Sequence, residues 1–150
     1  MNNTIPSDNL LADILAIQEC KSRFLYCLDD VINFGHDGET SVIGLLCQDA
    51  QLTMGDLPTV YGSRAIYTGL VSALTAEGYT YMSHMVSNPV IDVAGSAAKG
   101  RWYVYCVIKK SHEPGKGYTW LHASYEDTFR RENGQWRLAS IKAHTVHQPV

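Results

Sequence analysis

Two adjacent carboxylates, Asp29 and Asp30, stand in the apolar stretch FLYCLDDV, and a single imidazole, His84, stands in the apolar stretch YMSHMV. A carboxylate bonded to one ring nitrogen of a histidine fixes its tautomer and raises its basicity, leaving the other nitrogen to move a proton at a substrate. The acids need a reason to be there. FLYCLDDV reads as the end of a helix, where unpaired carbonyls disfavour an acid by roughly 0.3–1 kcal/mol. A solvated helix end or a turn-forming Asp is the plain alternative, as is a satisfied core histidine for His84. Nine tyrosines against three phenylalanines bring hydroxyls that need partners when buried, as in a polar-lined pocket or an interface, or on a tyrosine-rich sheet surface. His144 and His147 have a metal-like spacing only if helical. They fall on a strand end or tail with no acid or cysteine near in sequence, so no metal site is expected. The pair His36-Asp37 reads as loop polarity. His122 shares an alternation face with Trp120 and Ser124 and enters a pocket only if a bulge shifts the register. No glycine-rich phosphate loop, nucleotide fingerprint or G-x-S-x-G elbow is present, so neither a nucleotide nor a serine nucleophile is expected.

The elements that must position these groups follow from periodicity. Leu10, Ile14, Ile17, Phe24 and Leu28 keep helical spacing through residues 6–30, with Ser7 or Asp8 as the cap. A short helix carrying Val42, Leu45 and Leu46 precedes a strand around AQLTM. YGSRAIYTGLVSALTAEG predicts a further helix, capped by Ser63, with Ile66, Leu70 and Leu74 on one face and Gly78 as its stop. Beyond Gly78 the chain turns to strand formers: YTYMSHMVSNPVIDV, RWYVYCVIKK, YTWLHASYEDTFRRE and WRLASIKAHTV, with turns at AGSAAKG and NGQ and a loop at SHEPGKG. Helices first and antiparallel strands last predict an α+β domain, helices against one face of a curved sheet, with a small-molecule pocket at the open end of the resulting cone.

Composition narrows the class. The 150 residues, 45% hydrophobic and 18% charged, suit one globular domain, residues 1–150, without repeats or linkers. A net charge of −3 with scattered basic residues argues against a nucleic-acid partner. Cys20, Cys47, Cys27 and Cys106 form no C-x-x-C pair and lie in apolar runs, so reduced thiols without a disulfide are expected. No signal peptide or membrane-crossing run is read, which leaves the cytoplasm as the expected location.

The order of the long helix, CQDAQLTM, VYGSRAI, SHMVSNPVIDV, AAKGRWYVYC and SYEDTFRRENGQWRLASIKA resembles the SnoaL-like branch of the nuclear transport factor 2-like superfamily, which includes scytalone dehydratase and bile-acid dehydratase. The resemblance covers a core of about residues 10–143, and GRWYVY and YEDTFRRENGQWRL carry most of it. The resemblance implies a cone-shaped α+β barrel, a curved, mostly antiparallel sheet wrapped around the N-terminal helices. The family's dehydratases have an aromatic residue, commonly Tyr, five positions before an Asp near the end of the first helix; Phe24 and Asp29 align there, without the hydroxyl. They also have a histidine where His84 stands. A third polar residue of many relatives aligns with Cys106, or with Tyr105 one register away.

The resemblance thus implies that Asp29 orients His84, with Asp30 solvated. Trp102, Val104, Cys106 and Ile108 share one strand face and Tyr103, Tyr105 and Val107 the other; the alignment favours the Trp102 set as the pocket lining. Tyr125 matches a pocket tyrosine of several relatives, Tyr26 lies at helical spacing from Asp29, and Tyr61 precedes the second long helix. Phe24, Tyr26, Tyr61, Trp102, Cys106, Tyr125 and, in reserve, His122 are therefore the expected substrate contacts. The implied activity is cofactor-independent proton transfer beside the carbonyl of a cyclic polyketide, terpenoid or steroid-like compound: a dehydratase, or an isomerase or cyclase using the same base and oxyanion stabiliser. A non-catalytic small-molecule-binding or dimer-forming scaffold is the alternative. Exposed sheet aromatics lead to the expectation of a homodimer.

Overall fold

The computed structural model describes residues 8–113, 115, 117–144 and 147–149, with Asp8 as backbone only. The chain runs α1 (Asp8–Phe34), α2 (Glu39–Gly44), β1 (Leu46–Met54), β2 (Val60–Tyr61), α3 (Ser63–Ala76), β3 (Tyr79–Ala94), β4 (Ala97–Lys110), β5 (Thr119–Glu132) and β6 (Gln135–Ala143). The strands form one curved six-stranded sheet in the order β2-β1-β6-β5-β4-β3. Only β1 and β6 run parallel. The helices pack against the inner face, giving the cone-like α+β architecture expected.

Two tight turns set the register. Asn133 and Gly134 both have positive φ (51° and 77°), the geometry of a type I′ hairpin turn, and they place Glu132 opposite Gln135. Ala94 and Ala97 pair across Gly95-Ser96. Within β3 the ladder shifts between Ser87 and Val90, where Asn88 takes φ 52° and Pro89 supplies no N–H, so the long strand bends there. The alternation in β4 buries Ala98, Trp102, Val104, Cys106 and Ile108 and leaves Tyr103 and Tyr105 exposed. Ile17, Leu28, Leu46, Val104, Phe129 and Leu138 belong to the central core between α1 and the sheet.

Several boundaries differ from the sequence expectation. α1 continues past Asp29-Asp30 to Phe34, because Val31 and Ile32 extend its apolar face and Gly35, at φ 66°, is the first residue able to leave the helix cheaply. Leu46 begins β1 instead of closing α2. Ser63 is not the cap of α3: Gly62 is, and no side chain bonds the helix start. Gly78 does end that helix, at φ 71°, with its N–H donating to the Thr75 carbonyl. Ser7, Thr145 and Val146 lie outside the described residues.

Candidate active site

The site is built where α1 crosses the free edge of β3. β3 is an outermost strand, so every second N–H on its outer edge has no ladder partner. Two side chains of α1 supply the missing bonds. Asn33 Nδ2 donates to the Met82 carbonyl at 2.7 Å and the Met82 N–H donates to Asn33 Oδ1 at 2.8 Å. One helical turn earlier, Asp29 Oδ2 accepts the His84 N–H at 2.9 Å. The spacing matches because four helical residues rise about 6 Å and two strand residues about 6.6 Å. The other oxygen of Asp29 takes the His84 ring: Nδ1 donates to Oδ1 at 2.6 Å.

Both side chains are largely removed from water, His84 at 11% and Asp29 at 7% exposure. Burial, the largest influence, pulls the His84 pKa down. The Asp29 hydrogen bond, the adjoining Cys106 and the Asp29 charge outweigh it and raise the value to about 9. At neutral pH the pair is therefore an imidazolium–carboxylate ion pair, with about 1% of the imidazole neutral. Asp29 lies more than a turn inside α1, so the helix-end penalty barely reaches it.

His84 opens on a cavity of about 450 Å3 bounded by α1, α3 and the inner face of the sheet, with Cys106 and Tyr125 also in its wall. Most of the remaining lining is apolar, including Phe24, Leu28, Leu70 and Val104, and the exposed side chains of Glu77 and Gln148 mark the mouth. Lys110 bridges to Glu77 there at 2.9 Å and sits over the Tyr79 ring. Burial pushes the Tyr125 phenol well above its ordinary value, which keeps it a hydrogen-bond donor. An apolar cavity with a few convergent polar groups on one wall suits a small, largely apolar ligand with one or two oxygens.

A family model described as the SnoaL-like domain matches residues 9–142. The chain belongs to this family. Among solved structures, this SnoaL-like chain is similar to a proposed scytalone dehydratase of Novosphingobium aromaticivorans, at TM-score 0.77 and 20% identity over 96% of this chain and 92% of that one. A proposed aromatic ring hydroxylase of the same organism gives TM-score 0.77 and 17% identity over 93% and 94% of the two chains. A type 2 hexachlorocyclohexane dehydrochlorinase, LinA, gives TM-score 0.70 and 16% identity over 93% of each. At such identities the likeness concerns the fold. No curated protein sequence matches.

The residues expected at the SnoaL-like site are only partly gathered. Asp29, His84, Phe24, Cys106 and Tyr125 meet at the cavity. Tyr26 does not: at 67% exposure it points away from the sheet, since the turn of α1 that buries Leu25, Leu28 and Asp29 sends position 26 to solvent. Tyr61 is likewise 66% exposed, at the far edge of the sheet in β2. Trp102 faces inward as expected but is embedded in the core against Phe129, outside the cavity lining. His122 lies on the outer face against Tyr103 and pairs through its backbone with His147; no bulge brings it inside, because the β4–β5 register runs unbroken past it. His144 lies 3.4 Å from Glu126. Asp30 is half-buried within the helix, so it forms no turn.

A group the sequence reading missed lies beside the cavity. Lys21 and Asp127, both 0% exposed in their side chains, pair at 2.7 Å, and the Lys21 ammonium sits 4.3 Å from the Tyr125 ring centroid. The signal was available: Lys21 occupies the i+4 position between Ile17 and Leu25 on the buried stripe of α1, where a lysine must have a partner. Elsewhere, Cys47, Asp49 and Glu132 place ligand-type atoms within 4.8 Å of one another, but Arg130 binds both carboxylates, so ion pairing accounts for that cluster. The four cysteines are free thiols. Among the described residues no helix is long and apolar enough to cross a membrane.

Proposed function

We propose that the protein is a cofactor-independent acid–base enzyme, a lyase of the dehydratase type, acting on a small cyclic carbonyl compound of polyketide, terpenoid or steroid-like character. The observation that carries this reading is the Asp29–His84 pair, 2.6 Å apart, opening on a largely apolar cavity of about 450 Å3. With Nδ1 held by Asp29, Nε2 is the ring nitrogen left for substrate. In its neutral form it removes the proton next to the carbonyl. The Tyr125 hydroxyl is the donor available to the enolate oxygen. The imidazolium so formed returns its proton to the departing β-hydroxyl, leaving water and an enone, with His84 neutral again.

The same proton abstraction without loss of the hydroxyl gives an isomerase, and enolate attack on a second carbonyl gives a cyclase. Similarity to a proposed scytalone dehydratase and to a hexachlorocyclohexane dehydrochlorinase favours elimination, since both names denote loss of a small molecule, water or hydrogen chloride. The reading includes a homodimer in the cytoplasm with no nucleic-acid partner. Phe24 replaces the hydroxyl that the dehydratases commonly carry, a feature that favours a binding-only protein as the rival. The deciding experiment is turnover of a panel of cyclic β-hydroxyketones by wild type and His84→Gln. Dehydration by wild type, falling at least 10²-fold in the variant, is expected. Tight binding of these ligands by wild type with no turnover would establish the binding-only account instead.

A further inference from the structure

Cys106 is the direct cross-strand partner of His84 in the β3–β4 ladder. Side chains of such partners emerge on one face with their Cβ atoms about 4.5–5.5 Å apart, and both line the same cavity. Asp29 already holds Nδ1 of the imidazole. The result brings a thiol, an imidazole and a carboxylate together, the composition of a cysteine nucleophile with its base and orienting acid. The thiol's own hydrogen-bond contact is a weak one, to the Val107 carbonyl at 3.7 Å. Cys106 is 3% exposed, so the cavity is its route to small molecules. None of Cys20, Cys27 and Cys47 lines that cavity.

We propose that Cys106, with His84 and Asp29, forms a covalent thioether with small cyclic α,β-unsaturated ketones held in the cavity. The thiol proton passes to neutral His84 Nε2 and the sulfur attacks the β-carbon. The carbon–carbon π pair moves toward the carbonyl to give an enolate, which takes the proton back from the imidazolium at its α-carbon. One S–H and one C=C π bond are consumed and one C–S and one C–H bond are formed; no oxidant or further reactant enters. The reverse is a β-elimination with sulfur as leaving group, so the adduct is reversible. A largely apolar wall around the thiol selects compact, uncharged enones over charged electrophiles.

The test uses 2-cyclohexen-1-one, which carries no β-hydroxyl, so adduct formation and dehydration succeed or fail separately. Intact mass followed by peptide mapping of the folded wild type is expected to find one enone added on the Cys106 peptide. That label is absent from Cys106→Ala and forms roughly 10²-fold more slowly in His84→Gln or, should that variant not fold, in Asp29→Asn. Wild type left unlabelled, or labelled only at half-buried Cys27, would overturn the proposal on its own. Labelling of Cys106 at an unchanged rate in the His84 or Asp29 variant would reduce it to an accessible thiol and overturn the assigned array.

Discussion

Asp29 accepts two hydrogen bonds from one residue, the backbone N–H and the ring Nδ1 of His84, so one oxygen serves the fold and the other holds the ring on which the proposed chemistry depends. Asp29→Asn should divide the two duties, because the amide oxygen still accepts the backbone N–H while the negative charge is lost. We expect the variant to fold, its His84 to titrate well below wild type by NMR, and turnover to fall roughly 10²-fold. In the wild type, a base that is protonated below about pH 9 makes the proton-abstraction rate climb with pH up to that value and level off above it. Stability moves the opposite way. The folded value is raised above the ordinary 6.5, so the pair's contribution, about 3 kcal/mol, is complete below pH 6.5, declines from there to pH 9 and is gone above it. Urea midpoints at pH 6 and pH 10 should show this loss in wild type and much less of it in His84→Gln.

At the scale of elements, α1 is fastened to the sheet at two places of different chemistry. At its C-terminal part, Asn33 closes the edge of β3. Replacing it with Ala leaves a partly buried N–H and carbonyl without partners, a cost of about 1–3 kcal/mol that should appear in the denaturation midpoint and in faster amide exchange at Met82. At its centre, Lys21 meets Asp127 with no exposure on either side chain. Lys21→Met strands a buried carboxylate and should cost about 3–5 kcal/mol, whereas Lys21→Met with Asp127→Leu should recover most of that loss, since the desolvation penalty goes with the pair. A double-mutant cycle by urea denaturation checks both values.

At the scale of the molecule, the outer face of the sheet carries Tyr103, Tyr105 and Trp120, with Tyr105 and Trp120 stacked at 5.8 Å. Such a face is a liability for a monomer, and sedimentation at micromolar concentration is expected to give a dimer that Tyr105→Lys with Trp120→Lys converts to monomer. Whatever depended on local pattern could be read along the chain: the Asn133-Gly134 hairpin, the stop at Gly78, the two alternating faces of β4, and the α+β order all follow from turn chemistry and periodicity acting over a few residues, whereas the choice of the Trp102 face as the inward one came from the family pattern. Phe24, Asp29, His84, Cys106 and Tyr125 were legible through the family pattern. Tyr26 and Tyr61 were misplaced because lying three residues from Asp29, or just before a helix, does not put a side chain on the face that borders the cavity. The Asn33–Met82 clamp and the Lys21–Asp127 pair rest on contacts between residues 49 and 106 positions apart. By itself the sequence determined the elements and their order, and through the family pattern it singled out Asp29 and His84; only the tertiary structure decided that they meet, since a carboxylate becomes the partner of an imidazole by the crossing of a helix over a sheet edge, and no local preference contains that distance.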